Sequence, residues 1–199
     1  PQASYGAVAY GYDPTTLRQL RAMAHMAVSS SAAGQCATTN IAIALGPKHD
    51  PYVKGVYEQI NMWFQIMRLY KPDLVRVSRA WWGIKSRLLS VPIQHKWKNV
   101  KGPIGATIVI LDDIGWCPIS PMRWIEDNGR VWNITYDDGQ GTLLKALSGT
   151  AEKLTWRIAA QHYNGTGLHD GADLTIANKM TRWLHTKGRS REAALVQCI

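Results

Sequence analysis

Residues 50–73 read DPYVKGVYEQINMWFQIMRLYKPD. Val53, Val56, Tyr57, Ile60, Trp63, Phe64 and Met67 recur three and four residues apart, the spacing of one face of an α-helix. Asp50 offers a side-chain oxygen to cap the first turn. Pro51 suits that turn, because its missing N–H would have no intrahelical partner there. Lys71-Pro72 ends the run, since proline disfavours helical backbone in the residue before it. The spacing predicts a helix from Pro51 to about Tyr70. This is the clearest apolar stripe in the chain, so the fold is expected to be mostly α.

The same punctuation recurs on both sides. Upstream, Asp13-Pro14 caps a helix with Leu17, Leu20, Ala24 and Val28 on one stripe and Arg18 and Arg21 off it. Ser29-Ser30-Ser31 and Gly34 close it, and a short Ala-rich helix is expected from about Thr38 to Leu45. Downstream, Asp73 caps a helix over residues 74–90 that Pro92 ends. Residues 93–102 read as a basic loop, and Pro103 opens a helix through PIGATIVILDD that Gly115 closes.

At residues 122–134, MRWIEDNGRVWNI, the period changes. Two short β-like runs flank Asn128-Gly129, the strongest short hairpin signal, with both turn residues expected at positive φ. Trp124 and Trp132 are expected on one sheet face. Leu144, Leu147, Ala151, Leu154 and Ile158 then return to helical spacing. Asp173 caps a helix over residues 174–185, and Ser190 starts a last one. The expected fold is helical and bundle-like, with one small β-hairpin near residues 123–134. Three regions follow: a basic helical part over 1–102, a helix plus Trp-rich hairpin over 103–140, and a truncated helical part over 141–199. The start at Pro1 and the end at Ile199, inside a helical pattern, are expected of a segment of a longer chain.

With 199 residues, 46% of them hydrophobic, the chain can build one substantial core or two small ones. No run reaches the roughly 18 apolar residues of a membrane span. Cys36, Cys117 and Cys198 are widely spaced and form no C-x-x-C, which fits a reducing compartment and gives no zinc site. Nine Trp against one Phe imply broad aromatic surfaces, some of them exposed.

The net charge of +9 favours a polyanionic partner. Its placement is uneven. Arg68, Lys71, Arg76, Arg79, Lys85, Arg87, Lys96, Lys98 and Lys101 lie within residues 68–101, where Asp73 is the only acid. Trp81, Trp82 and Trp97 are interleaved among them. Arg76, Arg79, Gly83 and Arg87 share one helix face, and Gly83 lets a backbone approach. Cations for phosphates beside rings for bases are the parts of a single-strand nucleic-acid surface. A solvated helix face over a tryptophan core is the competing reading. A second patch combines Lys179, Arg182, Lys187, Arg189 and Arg191 with Trp183.

Catalytic constellations are sparse. Asp137-Asp138, within TYDDG, and Asp112-Asp113 are the residue type that holds paired Mg²⁺ ions for phosphoryl transfer. Turn chemistry accounts for the first pair, and the end of a helix for the second. His169-Asp170 offers an acid–base pair or a simple turn. The remaining histidines stand alone. No G-x-S-x-G elbow occurs, and GPIGATI lacks a P-loop lysine. No catalytic residue, cofactor or metal-ligand set is expected.

The opening PQASYGAVAYGYDPTTLRQLRAMA resembles the segment just after the polymerase palm in non-LTR retrotransposon reverse-transcriptase polyproteins. A short run, here Ser4-Tyr5-Gly6-Ala7, leads there into a Leu/Arg-rich helix, here Leu17-Arg18-Gln19-Leu20-Arg21. GPIGATIVILDDIGW, the Trp-rich hairpin and GLHDGADLTIANKMTRWL are similar to protist versions of these reading frames. The chain departs from a complete polymerase in lacking the palm with its aspartates, and it lacks the Cys/His cluster often found downstream. The resemblance implies a non-catalytic thumb or connector that grips RNA or an RNA/DNA duplex. On that reading Arg76, Arg79, Lys85, Arg87, Lys96, Lys98 and Lys101 meet phosphates, and Trp81 or Trp82 stacks. The alternative is a structural subunit or protein-interaction module whose Trp63/Phe64 and Trp81/Trp82 faces pack on partner proteins. A metal-dependent nuclease using the two aspartate pairs ranks last.

Overall fold

In a computed structural model of the chain, residues 11–29, 35–92, 95–134 and 140–196 are described. They form eight α-helices and one three-stranded antiparallel sheet. The helices are α1 (Pro14–Val28), α2 (Ala37–Ala44), α3 (Pro51–Tyr70), α4 (Leu74–Leu89), α5 (Pro103–Asp113), α6 (Gln140–Ala160), α7 (Thr175–Thr186) and α8 (Ser190–Val196). The strands are β1 (Cys117–Ser120), β2 (Arg123–Ile125) and β3 (Val131–Asn133). The mostly helical fold with a small β element is thus the observed one. No helix among the described residues is long and apolar enough to cross a membrane. Cys198 and the pair Asp137-Asp138 lie outside the described residues, as do Ser4-Tyr5-Gly6-Ala7 and Gly34.

The contacts divide the chain differently from the three sequential regions expected. One unit joins the described residues up to Asp13 with Gly55–Ser148; the other joins Pro14–Lys54 with the segment from Gly149 onward. Of the three boundaries, one falls at the start of α1 and two fall inside helices, α3 and α6, where no Gly/Pro-rich linker marks them.

In the first unit, Trp63, Phe64 and Met67 of α3 are buried, as the periodicity requires. Trp63 meets Trp81 of α4 with ring centroids 5.5 Å apart, and Phe64 stacks on Trp124 of β2 at 5.7 Å. Buried indole N–H groups need acceptors. Trp63 Nε1 donates to the Pro121 carbonyl at 3.3 Å, and Trp124 Nε1 to the Ser120 carbonyl at 3.1 Å. Residues Gly105–Leu111 of α5 are buried without interruption, which places that helix at the centre of this unit.

The hairpin differs from the expected one in its turn and in a third strand. Only Gly129 takes positive φ, +86°; Asn128 does not. The Gly129 N–H donates to the Glu126 carbonyl at 2.9 Å, and Glu126 N–H to the Arg130 carbonyl at 2.9 Å. The loop therefore has three residues, a type I turn closed by a left-handed glycine. The Asn128 side chain accepts from Arg130 N–H at 2.9 Å. Trp124 and Trp132 are direct cross-strand partners and share a face, as expected. The added strand is β1, which pairs with β2 through an irregular register between Pro118 and Ser120. Pro118 removes a donor and confines β1 to the sheet edge.

In the second unit, α1 packs on α2 and α7 on α8. Arg21 ties the first pair down: its Nε donates to Asp50 at 3.0 Å and a terminal nitrogen to Thr38 Oγ1 at 2.8 Å. The same Asp50 accepts from Tyr52 N–H at 2.8 Å, so it caps α3 while holding the arginine. Gly165 is obligatory, since a Cβ there would overlap the Ala159 carbonyl at 2.1 Å.

Candidate nucleic-acid interface

The α4 helix starts where the sequence places it. Asp73 Oδ1 accepts from Val75 N–H at 2.9 Å and satisfies one of the free first-turn donors. Trp81 and Leu88 are its buried residues. That anchoring turns Arg76, Arg79, Gly83 and Arg87 outward, and all four are exposed. At about 1.5 Å per residue, the path from Arg76 to Arg87 runs about 16 Å along the helix. Arg76 lies 3.6 Å from Asp73 in an exposed ion pair, which constrains it little. Arg79 and Arg87 have no carboxylate partner among the described residues. A Cβ on Gly83 would meet nothing within 4 Å, so the face is open there.

The two adjacent tryptophans separate completely. Trp82 is 53% exposed and Trp81 0%: successive helix positions are turned by about 100°, which carries the second indole from the core out to the surface. Trp81 therefore cannot stack on a base; it is core, and its Nε1 has no hydrogen-bond partner among the described residues. Trp82 remains available, and the Lys85 ammonium lies 5.4 Å from its ring centroid. Tyr70, 76% exposed at the end of α3, adds a second open ring near Lys71 and Arg76 in the sequence. Exposed Leu69 and Val75 flank the same turn.

Two lysines assigned to phosphates from the sequence are engaged elsewhere. Lys96 is only 8% exposed, and its Nζ meets Asp112 Oδ2 at 2.5 Å. Lys85 Nζ donates to the Pro118 carbonyl at 2.7 Å, which leaves it half-buried. Lys98 and Lys101 are exposed. Trp97 is not a free platform: its Nε1 donates to Asp113 Oδ2 at 2.7 Å, and its ring lies against Gly11, where a Cβ would fall 2.6 Å away.

Lys96-Trp97 and Asp112-Asp113 thus form two parallel links, each spanning sixteen residues. Burial pushes the Asp113 carboxyl up to about 6, against the lowering effect of the Trp97 hydrogen bond; the neighbouring Asp112 charge raises it further. Both aspartates have structural work, and among the described residues no three His, Cys, Asp or Glu side chains converge as metal ligands. His169 and Asp170 contact each other at 2.8 Å but stand exposed in their turn. In the second basic patch, Lys179, Arg182, Lys187 and Arg191 are exposed, Trp183 is open beside them, and Arg189 pairs with Glu192.

Comparison with protein-family models, curated proteins and solved structures returns no match.

Proposed function

We propose that the chain is a non-catalytic RNA- or RNA/DNA-binding element, a thumb or connector of a reverse-transcriptase-type polyprotein. The observation that carries this reading is the outward face of α4. Three arginines lie along about 16 Å of one helix, a length that matches a few nucleotides, beside an exposed indole. Arginine presents a planar fork that suits phosphate oxygens. The +9 net charge supplies the long-range attraction. Placement after a polymerase palm rests on the resemblance of the sequence motifs.

The test is charge reversal. Replacing Arg76 and Arg79 by Glu removes two phosphate contacts. For a single strand this makes the slope of log K against log salt shallower by about 1.4. An unchanged slope overturns the assignment of this face.

The protein-interaction reading keeps partial support. Trp63, Phe64 and Trp81 are core, so of the aromatic residues it relied on Trp82 alone is open. Leu69, Tyr70, Leu74 and Val75, all exposed around the α3–α4 turn, add apolar surface to it.

A further inference from the structure

Behind the α4 face, within the same unit, lies a cleft of about 260 Å³. Its walls are largely apolar: Leu88 from α4, Ile108 and Val109 from α5, and Trp116. Three charged groups converge on it. Lys96 and Asp112 form their ion pair there, and Lys85 enters from α4 with no carboxylate partner among the described residues. Two cations against one carboxylate leave one positive charge uncompensated. An apolar slot with a few convergent polar groups is the general form of a small-ligand site.

We propose that this cleft receives the base of a single nucleotide whose phosphate lies on Lys85. The identity of the ligand rests on the nucleic-acid reading above. The volume falls below the roughly 300–1,000 Å³ of drug-sized pockets, so one ring system fits and a dinucleotide does not. Apolar walls accept the faces of a base. Lys96 and Asp112, side by side, present a donor and an acceptor to its edge. The Lys85 ammonium has three donors and gives one to Pro118, which leaves two for a phosphate. Base insertion requires unstacking, which costs least in a single strand, so the cleft selects unpaired over duplex substrate. The same chemistry is met by a free mononucleotide or by one nucleotide of a bound strand.

Cys117 supplies the assay. It is a free, exposed thiol lining this cleft, while Cys36, also free, belongs to the other unit and serves as internal control. Iodoacetamide labelling of the full chain is followed at both cysteines by peptide mass spectrometry. It is run with UMP, AMP, a single-stranded RNA oligomer or inorganic phosphate. With nucleotide at about ten times its Kd, mass action slows Cys117 labelling about tenfold and leaves Cys36 unchanged. Inorganic phosphate gives no protection. Leu89 lines the mouth and is 65% exposed, so Leu89→Glu leaves the fold intact, repels the phosphate and removes the protection. Lys85→Gln weakens it. An oligomer that binds by anisotropy without protecting Cys117, and mononucleotides that do not protect it either, overturn the cleft while leaving the α4 interface standing. Protection by mononucleotides without any oligomer binding upholds the cleft and overturns the interface. Equal protection by phosphate alone overturns base recognition.

Discussion

Replacing Asp113 by Asn tests the reading of the α5 terminus quantitatively. The carboxyl sits at about 6 in the folded chain, against an ordinary value of 3.8, because burial opposes its ionisation. The native state therefore holds the proton more tightly than the unfolded chain. No penalty exists below pH 3.8. It grows between 3.8 and 6 and is complete above that window. A rise from 3.8 to about 6 corresponds to about 3 kcal/mol of native-state destabilisation at pH 8. Asn keeps an oxygen to accept from Trp97 Nε1 but carries no charge. Urea unfolding of both proteins at pH 4.5 and 8 isolates the effect, since other titrating groups cancel between them. At pH 4.5 about 1 kcal/mol of the penalty is present, so the stability of Asp113→Asn relative to the parent rises by about 2 kcal/mol from pH 4.5 to 8. A relative stability that stays flat or falls with pH refutes the argument. It would mean that the Trp97 hydrogen bond, not burial, dominates at this carboxyl.

Other outcomes follow from the same packing. Trp81→Ala removes a fully buried indole and destabilises by about 3–5 kcal/mol in chemical denaturation. Trp82→Ala barely changes stability but weakens RNA binding by about 1–3 kcal/mol, read by anisotropy, the usual worth of one base–aromatic stack. Gln59 is fully buried with both amide atoms unpartnered among the described residues, so the near-isosteric Gln59→Met raises stability by about 1–3 kcal/mol, seen as a higher urea midpoint. Gly129→Ala forces a side chain into the left-handed region and lowers stability by about 1–2 kcal/mol in the same measurement.

Helices were legible because their signals are local. Asp50-Pro51, Asp73 and Pro103 mark starts by capping chemistry, and the apolar stripe of α3 marks its buried face directly. The strand β1 was not legible: Cys117-Pro118-Ile119-Ser120 has no alternation, and its pairing is set by β2 rather than by its own residues. The split into units was hidden for a similar reason, since it depends on contacts between segments far apart in sequence. In the site, helical spacing correctly put Arg76, Arg79, Gly83 and Arg87 on one face. Charge alone could not separate Lys96 from Lys98, because only the position of Asp112 decides which lysine is buried. A usable signal was present: the doublets Lys96-Trp97 and Asp112-Asp113 are complementary in charge and hydrogen bonding at a common offset. The cleft had none, because its walls come from α4, α5 and β1 together.

The most direct test of the central claim is the salt dependence of binding between the chain and a labelled single-stranded RNA, from 50 to 200 mM. Three phosphate contacts, from Arg76, Arg79 and Arg87, give a slope of about −2 and an affinity loss of about twentyfold across about this range. Binding of that form is the predicted result. No binding at the low-salt end, or binding that does not weaken with salt, contradicts the nucleic-acid account.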